Sequence, residues 1–219
     1  MWPSALTKTS TYLAALCMLS LALAGCSLPI KPPEAQNTFR LNSTNLQTPA
    51  IVAQGKDASY LIQMRTLQAA HGFETQEMMY SRDAQNLSPY RNSRWLAAPA
   101  EMLSDAIEQT LLKQPWVAGV VPNSASAPVA VNLRCQLIRL EHDLSGNEGK
   151  AHLVMSCLWT NPADRTVESH WRFDQTHPIT QNNATQFAAA SQALVDEAIT
   201  QIVEQTRAVI ISAQPKANG

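Results

Sequence analysis

The chain has 219 residues, of which 16 are basic and 17 acidic; 15% are charged and 45% hydrophobic. So even a balance excludes the basic footprint of a nucleic-acid-binding protein. The apolar share excludes a disordered chain, and the length is that of one ordinary domain with a sizeable core.

The first 25 residues hold one charge, Lys8, followed by an apolar run through Leu13, Leu16, Met18, Leu19, Leu21 and Leu23 that ends in Leu23-Ala24-Gly25-Cys26. The run is too short to span a bilayer with polar flanks, and the small residues at its end mark a cleavage point. The tetrad resembles the bacterial lipobox, in which the cysteine thiol is acylated and the chain is cut just before it. On that reading residues 1–25 are a signal peptide and Cys26 opens a mature chain of 194 residues with 15 basic and 17 acidic side chains. The lipobox resemblance implies a diacylglyceryl cysteine with palmitate, three acyl chains in all. Burial contributes about 0.8 kcal/mol per CH₂, so two or more chains hold stably where one holds marginally. The next residue is Ser27, not the aspartate that resembles an inner-membrane retention signal, so the outer membrane is expected, with the body on its periplasmic face. Pro29, Pro32 and Pro33 make residues 26–38 an extended tether. At roughly 3.3 Å per residue, about 12 residues reach about 40 Å from the headgroups. A single periplasmic domain over 39–214 follows.

Phe39-Arg40-Leu41 reads as a short strand. Ser59–Leu67 alternates Tyr60, Ile62 and Met64 with polar neighbours and predicts a strand with one apolar face. A second strand is expected over Thr75–Arg82 and a third over Pro89–Leu96. Pro99 suits a first helical position and Glu101 the positive end of the helix dipole. Met102, Leu103, Ala106, Ile107, Thr110 and Leu111 then recur at three and four, so an amphipathic helix lies on something apolar until Pro115 ends it. Val117–Val121 is a short strand, with a loop over 122–128.

Val129–Glu141 and Lys150–Thr160 give the clearest sheet signal. Val129, Val131, Leu133, Cys135 and Leu137 share one face; Ala151, Leu153, Met155, Cys157 and Trp159 share another. A hairpin centred on Gly146 satisfies both, and a slip of one residue would turn one set outward. Parity breaks at Leu137-Ile138, where a bulge is expected. Val167, Trp171 and Phe173 mark one more strand. Asn183 with Gln186 offers a capping box for a second long amphipathic helix, with Phe187, Ala190, Leu194, Ala198, Ile199, Ile202, Val203 and Val209 as its stripe. This order predicts an α+β fold, a mixed and largely antiparallel sheet with both helices on one face.

With Cys17 removed and Cys26 acylated, Cys135 and Cys157 remain. The hairpin register places them opposite each other, and two readings stand: a disulfide, favoured by an oxidising periplasm, or two buried thiols packing as small apolar groups. The histidines His71, His142, His152, His170 and His177 lack the spacing of metal ligands. No phosphate loop, nucleophile elbow or Cys-x-x-Cys pair is present, so no catalytic residue, metal or cofactor is expected. The cluster Tyr90, Arg91, Arg94 and Trp95 has two readings as well: Trp95 packs beneath the following helix while the arginines are solvated, or the four form a partner surface of the residue types that anchor interfaces.

The lipobox, Phe39-Arg40-Leu41, Met78-Met79-Tyr80-Ser81-Arg82, Leu87 through Trp95 and Pro99-Ala100-Glu101-Met102-Leu103, in that order, resemble the auxiliary lipoproteins of ABC-type transport systems, the group that includes the C component of the paraquat-inducible (Pqi) system. The resemblance implies a non-enzymatic partner of an MCE-domain protein in lipid transport between the two membranes, assembling as a homo-oligomeric ring at the outer-membrane end of an MCE tunnel. Tyr90, Ser93, Arg94 and Trp95 fall on its pattern; the cysteine pair does not. The rival expectation is a carrier or chaperone lipoprotein that holds a lipid in an apolar pocket between sheet and helices.

Overall fold

A computed structural model describes residues 35–42, 60–83, 85–122 and 128–213. The expected signal peptide, Cys26 and most of the tether lie outside the described residues, as does most of the loop expected over 122–128. The described elements belong to the unit Ala35–Gly219 and form an α+β fold. In chain order they are β1 (Asn37–Phe39), β2 (Tyr60–Met64), β3 (Gln68–Ala69), β4 (Glu77–Ser81), β5 (Leu87–Trp95), α1 (Pro99–Leu112), β6 (Val117–Val121), β7 (Val131–Asp143), β8 (Lys150–Thr160), β9 (Val167–Pro178) and α2 (Ala184–Ser212).

The sheet is organised around β7. Along one side it pairs antiparallel with β8, which pairs antiparallel with β9, and these are the longest ladders in the sheet. Along the other side β2, β3 and β4 take turns, all parallel to β7, at Ile62↔Val131, Gln68↔Gln136 and Tyr80↔His142. Residues 60–81 thus behave as one strand broken twice, once at 65–67 and once by an excursion over 70–76. The excursion needs a left-handed turn, supplied by Gly72 at φ 95°. Beyond this row β6 pairs parallel with β2, β5 antiparallel with β4, and β1 parallel with β5.

Alternation in β7 decides which face is dry. Val131, Leu133, Cys135 and Leu137 are buried while Arg134 and Gln136 are exposed. At the expected bulge Leu137 pairs with Met155 and Arg139 with Val154, so Ile138 is the extra residue. The parity flip it imposes carries Leu140 and His142 to the dry face. Cys135 stands opposite Cys157 with Cα atoms 4.1 Å apart, close to the spacing of a non-hydrogen-bonded pair, and a disulfide joins them.

Both helices cover that face. Helix α1 begins at Pro99 with Glu101 in its first turn and buries Met102, Leu103, Ala106, Ile107 and Leu111. Helix α2 is capped by Asn183, whose side chain accepts from Gln186 N at 2.9 Å. Its stripe, Phe187 to Ile210, packs on β8 and β9, and Trp159 Nε1 donates to Thr206 Oγ1 at 2.9 Å in the interior. Ser104 joins α1 to the first break after β2 by accepting from Leu67 N at 2.7 Å. Trp95, Trp159, Phe187, Leu153 and Ile202 fill the space between sheet and helices.

Several details differ from expectation; β5, for example, begins at Leu87 and β7 runs on to Asp143. The first strand lies at Asn37–Phe39, and Leu41 is instead tucked in at 2% exposure, its N–H directed at Met102 Sδ. The second ends at Met64, because Leu67 must turn down onto α1. Val167 is 62% exposed although it keeps strand geometry, because the register shift between Trp159↔Ser169 and Thr160↔Val167 turns it to the sheet face away from the helices.

Candidate partner-docking surface

The cluster expected from sequence falls on β5, and β5 is irregular where it matters. Between Met79↔Pro89 and Glu77↔Arg94 it spends five residues against two on β4. In a regular strand residues three apart face opposite ways. The slack removes that constraint: Arg91 and Arg94 are both exposed, and Tyr90 and Trp95 both turn inward. Bulges of this kind re-aim side chains beside functional surfaces.

Trp95 is 0% exposed and sits 5.7 Å from the Phe187 ring. It therefore does not belong to a partner surface; the apolar indole is worth more under α1 and α2 than in water. Its backbone is fixed on both sides, since Trp95 N donates to Gln76 O at 2.7 Å and Leu96 N to Phe39 O at 2.6 Å. Tyr90 is half-buried, stacked near Phe187 and His142, with its hydroxyl 2.6 Å from His142 Nδ1. Burial pushes the Tyr90 phenol up to about 12, so it stays protonated and can donate. His142 is 0% exposed, and burial lowers its pKa. Its Nε2 makes no hydrogen bond of normal geometry, with the Asn182 side chain and Gly149 packed beside it. In the sequence His142 differs from the other histidines only in its parity beyond the bulge, which turns it inward.

Arg91 and Arg94 line a concavity of about 780 Å³ with Gln36, Thr75, Glu77 and Glu101. Glu74, on the same wall, is placed by the 70–76 excursion. Its carboxyl is held low by the Gly72 backbone N–H, at 3.1 Å, and then by His71, at 2.6 Å. The result is a rim of both charge signs on a strand whose Trp95 is buried behind it. Such a rim suits electrostatic selection of a protein partner. Directly beside it runs β1, paired parallel with β5 at Asn37↔Ser93 and Thr38↔Arg94. Asn42 is held by Gln192 of α2, so the chain is clamped as it leaves β1.

Among the described residues no cluster of three or more His, Cys, Asp or Glu could hold a metal ion. No helix among them is long and apolar enough to cross a membrane.

A family model described as "ABC-type transport auxiliary lipoprotein component" matches residues 44–203. No curated protein sequence matches the chain. Among solved structures the fold is similar to protein XCC0632 from Xanthomonas campestris, with TM-score 0.64 and 18% identity over 80% of this chain and 94% of that one. It is also similar to the hypothetical protein CT253 from Chlamydia trachomatis, with TM-score 0.50 and 8% identity over 71% and 99% of the two chains. At these identities the likeness is one of fold alone.

Proposed function

The chain belongs to the family of ABC-type transport auxiliary lipoprotein components, and from that membership we propose that it is an outer-membrane lipoprotein that docks an MCE-domain protein of a trans-envelope lipid transporter. Cys26 carries the acyl chains, the segment between it and β1 sets the distance, and the folded domain presents the Arg91–Arg94 rim. The role is non-enzymatic. Holding one partner in the plane of a membrane raises its effective concentration over the other without any new contact.

The observation that carries the docking reading is the bulge in β5, which locks Trp95 inside while holding Arg91 and Arg94 out on one concave rim. A carried lipid would lie between sheet and helices, and Trp95, Trp159 and Phe187 already occupy that space. This favours docking over carrying. Strand β9 has an unpaired outer edge among the described residues, which offers a second copy a place to add a strand in a ring.

Arg91→Glu/Arg94→Glu in the full-length chain tests the surface. Cross-linked envelopes should yield the MCE protein with the parent chain and lose it with the variant, while thermal unfolding stays unchanged because both side chains are solvated. Recovery of no MCE protein with the parent defeats the reading. In the same cells Cys26→Ala should leave a folded chain that fails to complement; full complementation by it would show the tether to be dispensable.

A further inference from the structure

The Cys135–Cys157 bond lies on the face of the sheet that the helices cover. Cys135 shares its side of β7 with Leu133 and Leu137, and Cys157 shares its side of β8 with Met155 and Trp159, all of them buried. The two cysteines keep only 3% and 1% of their surface exposed. A small concavity of about 280 Å³ lies over the same pair on the opposite face, lined by Gln68, Gln136, Ser156, Leu158 and His170. Alternation along the strands turns Gln136, Ser156 and Leu158 into that concavity and the sulfur atoms away from it.

Helix α2 runs over the buried side. Near its start the Phe187 ring sits 5.4 Å from that of His142, which pairs with Ala151 at one end of the β7–β8 ladder. Nearer its end Thr206 accepts from Trp159, two residues past Cys157. Between those ties α2 buries Leu194, Val195, Ala198, Ile199, Ile202 and Val203, in one core cluster with both cysteines. Two further bonds fasten it to β9. Gln201 accepts from Nε1 of Trp171, the residue paired with Cys157, at 3.1 Å, and Gln205 donates to Ser169 at 2.8 Å. Helix α2 is also the last element of the described chain, whereas β7 and β8 are consecutive strands of one hairpin.

Thiol–disulfide exchange requires a thiolate to reach a sulfur atom, so it requires room for the attacking group. We infer that α2 seals this bond: exchange at Cys135 and Cys157 takes place only while α2 is off the sheet, and the disulfide is therefore made before α2 seats. The oxidant is a disulfide-bearing donor. One cysteine thiolate attacks the donor's disulfide and displaces one donor thiolate; the second cysteine thiolate then attacks the mixed disulfide and displaces the other. The chain gives up two electrons and its two thiol protons, and the donor leaves as a dithiol. Once α2 is seated the bond is closed to reductants as well, because making and breaking it pass through the same opening. The inference uses no residue of the Arg91–Arg94 rim and stands whether or not that rim docks a partner.

The test follows reduction of the folded full-length chain by dithiothreitol, quenched with an alkylating agent and scored by mass for free thiols. Reduction is expected to run about a hundredfold or more slower than in concentrated urea at the same dithiothreitol concentration, because the open state is rare. Ile202→Ala, which removes a fully buried contact of α2, should speed it about tenfold. The double variant Gln201→Ala/Gln205→Ala leaves the core intact and removes only the two side-chain bonds to β9; it should speed reduction about fivefold. Val117→Ala trims a buried side chain of β6, which β2 and β7 separate from β8. It should lower the urea midpoint yet leave the reduction rate within about twofold of the parent, because α2 opens without the rest of the fold. Reduction of the folded parent as fast as in urea, a parental rate in both α2 variants, or an equal acceleration by Val117→Ala overturns the inference.

Discussion

Replacing Cys135 and Cys157 together by alanine removes the one covalent cross-link of the β7–β8 hairpin, whose partners are 22 residues apart. A loop of that size, closed in the unfolded chain, restricts its entropy by an amount equivalent to about 3 kcal/mol. That is an upper figure, because unfolded chains keep residual structure. Both cysteines are also buried, at 3% and 1% exposure, so the missing sulfur atoms add a small packing loss. For a chain of this length about 3 kcal/mol lowers the melting temperature by on the order of 10 °C. Urea unfolding of parent and double variant, each with and without reductant, measures it. The parent should drop to the variant's midpoint once reduced, and the variant should ignore the reductant. A double variant with the parental midpoint would refute the reasoning, as would alkylation of unreduced protein that finds both thiols free.

Gly149→Ala should destabilise by about 1–3 kcal/mol. Its Cβ would overlap Asn182 Oδ1 and come within 2.6 Å of His142 Nε2, and His142 is too buried to withdraw; an unchanged urea midpoint would count against that packing. Stability should also fall with acid. The folded pKa of His142 lies below its ordinary 6.5, so the unfolded chain takes up the proton first. The His142 contribution is therefore complete above about pH 6.5 and is lost as pH falls through the folded value. His142→Phe should flatten the stability profile below pH 6.5, and an unchanged slope would show that another group sets it. Thr206→Val keeps the shape of a fully buried side chain but strands Trp159 Nε1, which should cost about 1–3 kcal/mol in chemical unfolding. A change under a few tenths would mean that the indole finds another acceptor.

Local physics accounts for what the sequence makes plain. Pro99 and Asn183 mark the helix starts because their chemistry suits only those positions. The parity of Val131 to Leu137 against Ala151 to Trp159, with the turn about Gly146, fixes the register that brings Cys135 to Cys157. Even the bulge at Ile138 is announced by two adjacent apolar residues where a strand allows one.

The docking rim is half legible. The cluster Tyr90 to Trp95 stands out by composition, but which side chains face water depends on β5 slipping three residues against β4, and nothing within β5 records that. Trp95 is drawn inside by Phe187, which is far along the chain in α2. The glutamate wall comes from an excursion whose length matters only because β7 is the shared partner of β3 and β4. A second concavity, lined by Arg65, Arg134 and Arg165, is less legible still. Its arginines come from a strand break, a strand and a hairpin turn, and the pairings of β7 with β2 and with β8 set them together.

By itself, then, the sequence determined most of the elements and the hairpin register, because each depends on neighbours a few residues apart. Tertiary structure decided which arginines converge, which aromatic residues are hidden and which histidine is sealed in. Those outcomes depend on pairings between segments distant in the chain, whose loop-closure entropy must be overcome by the core as a whole.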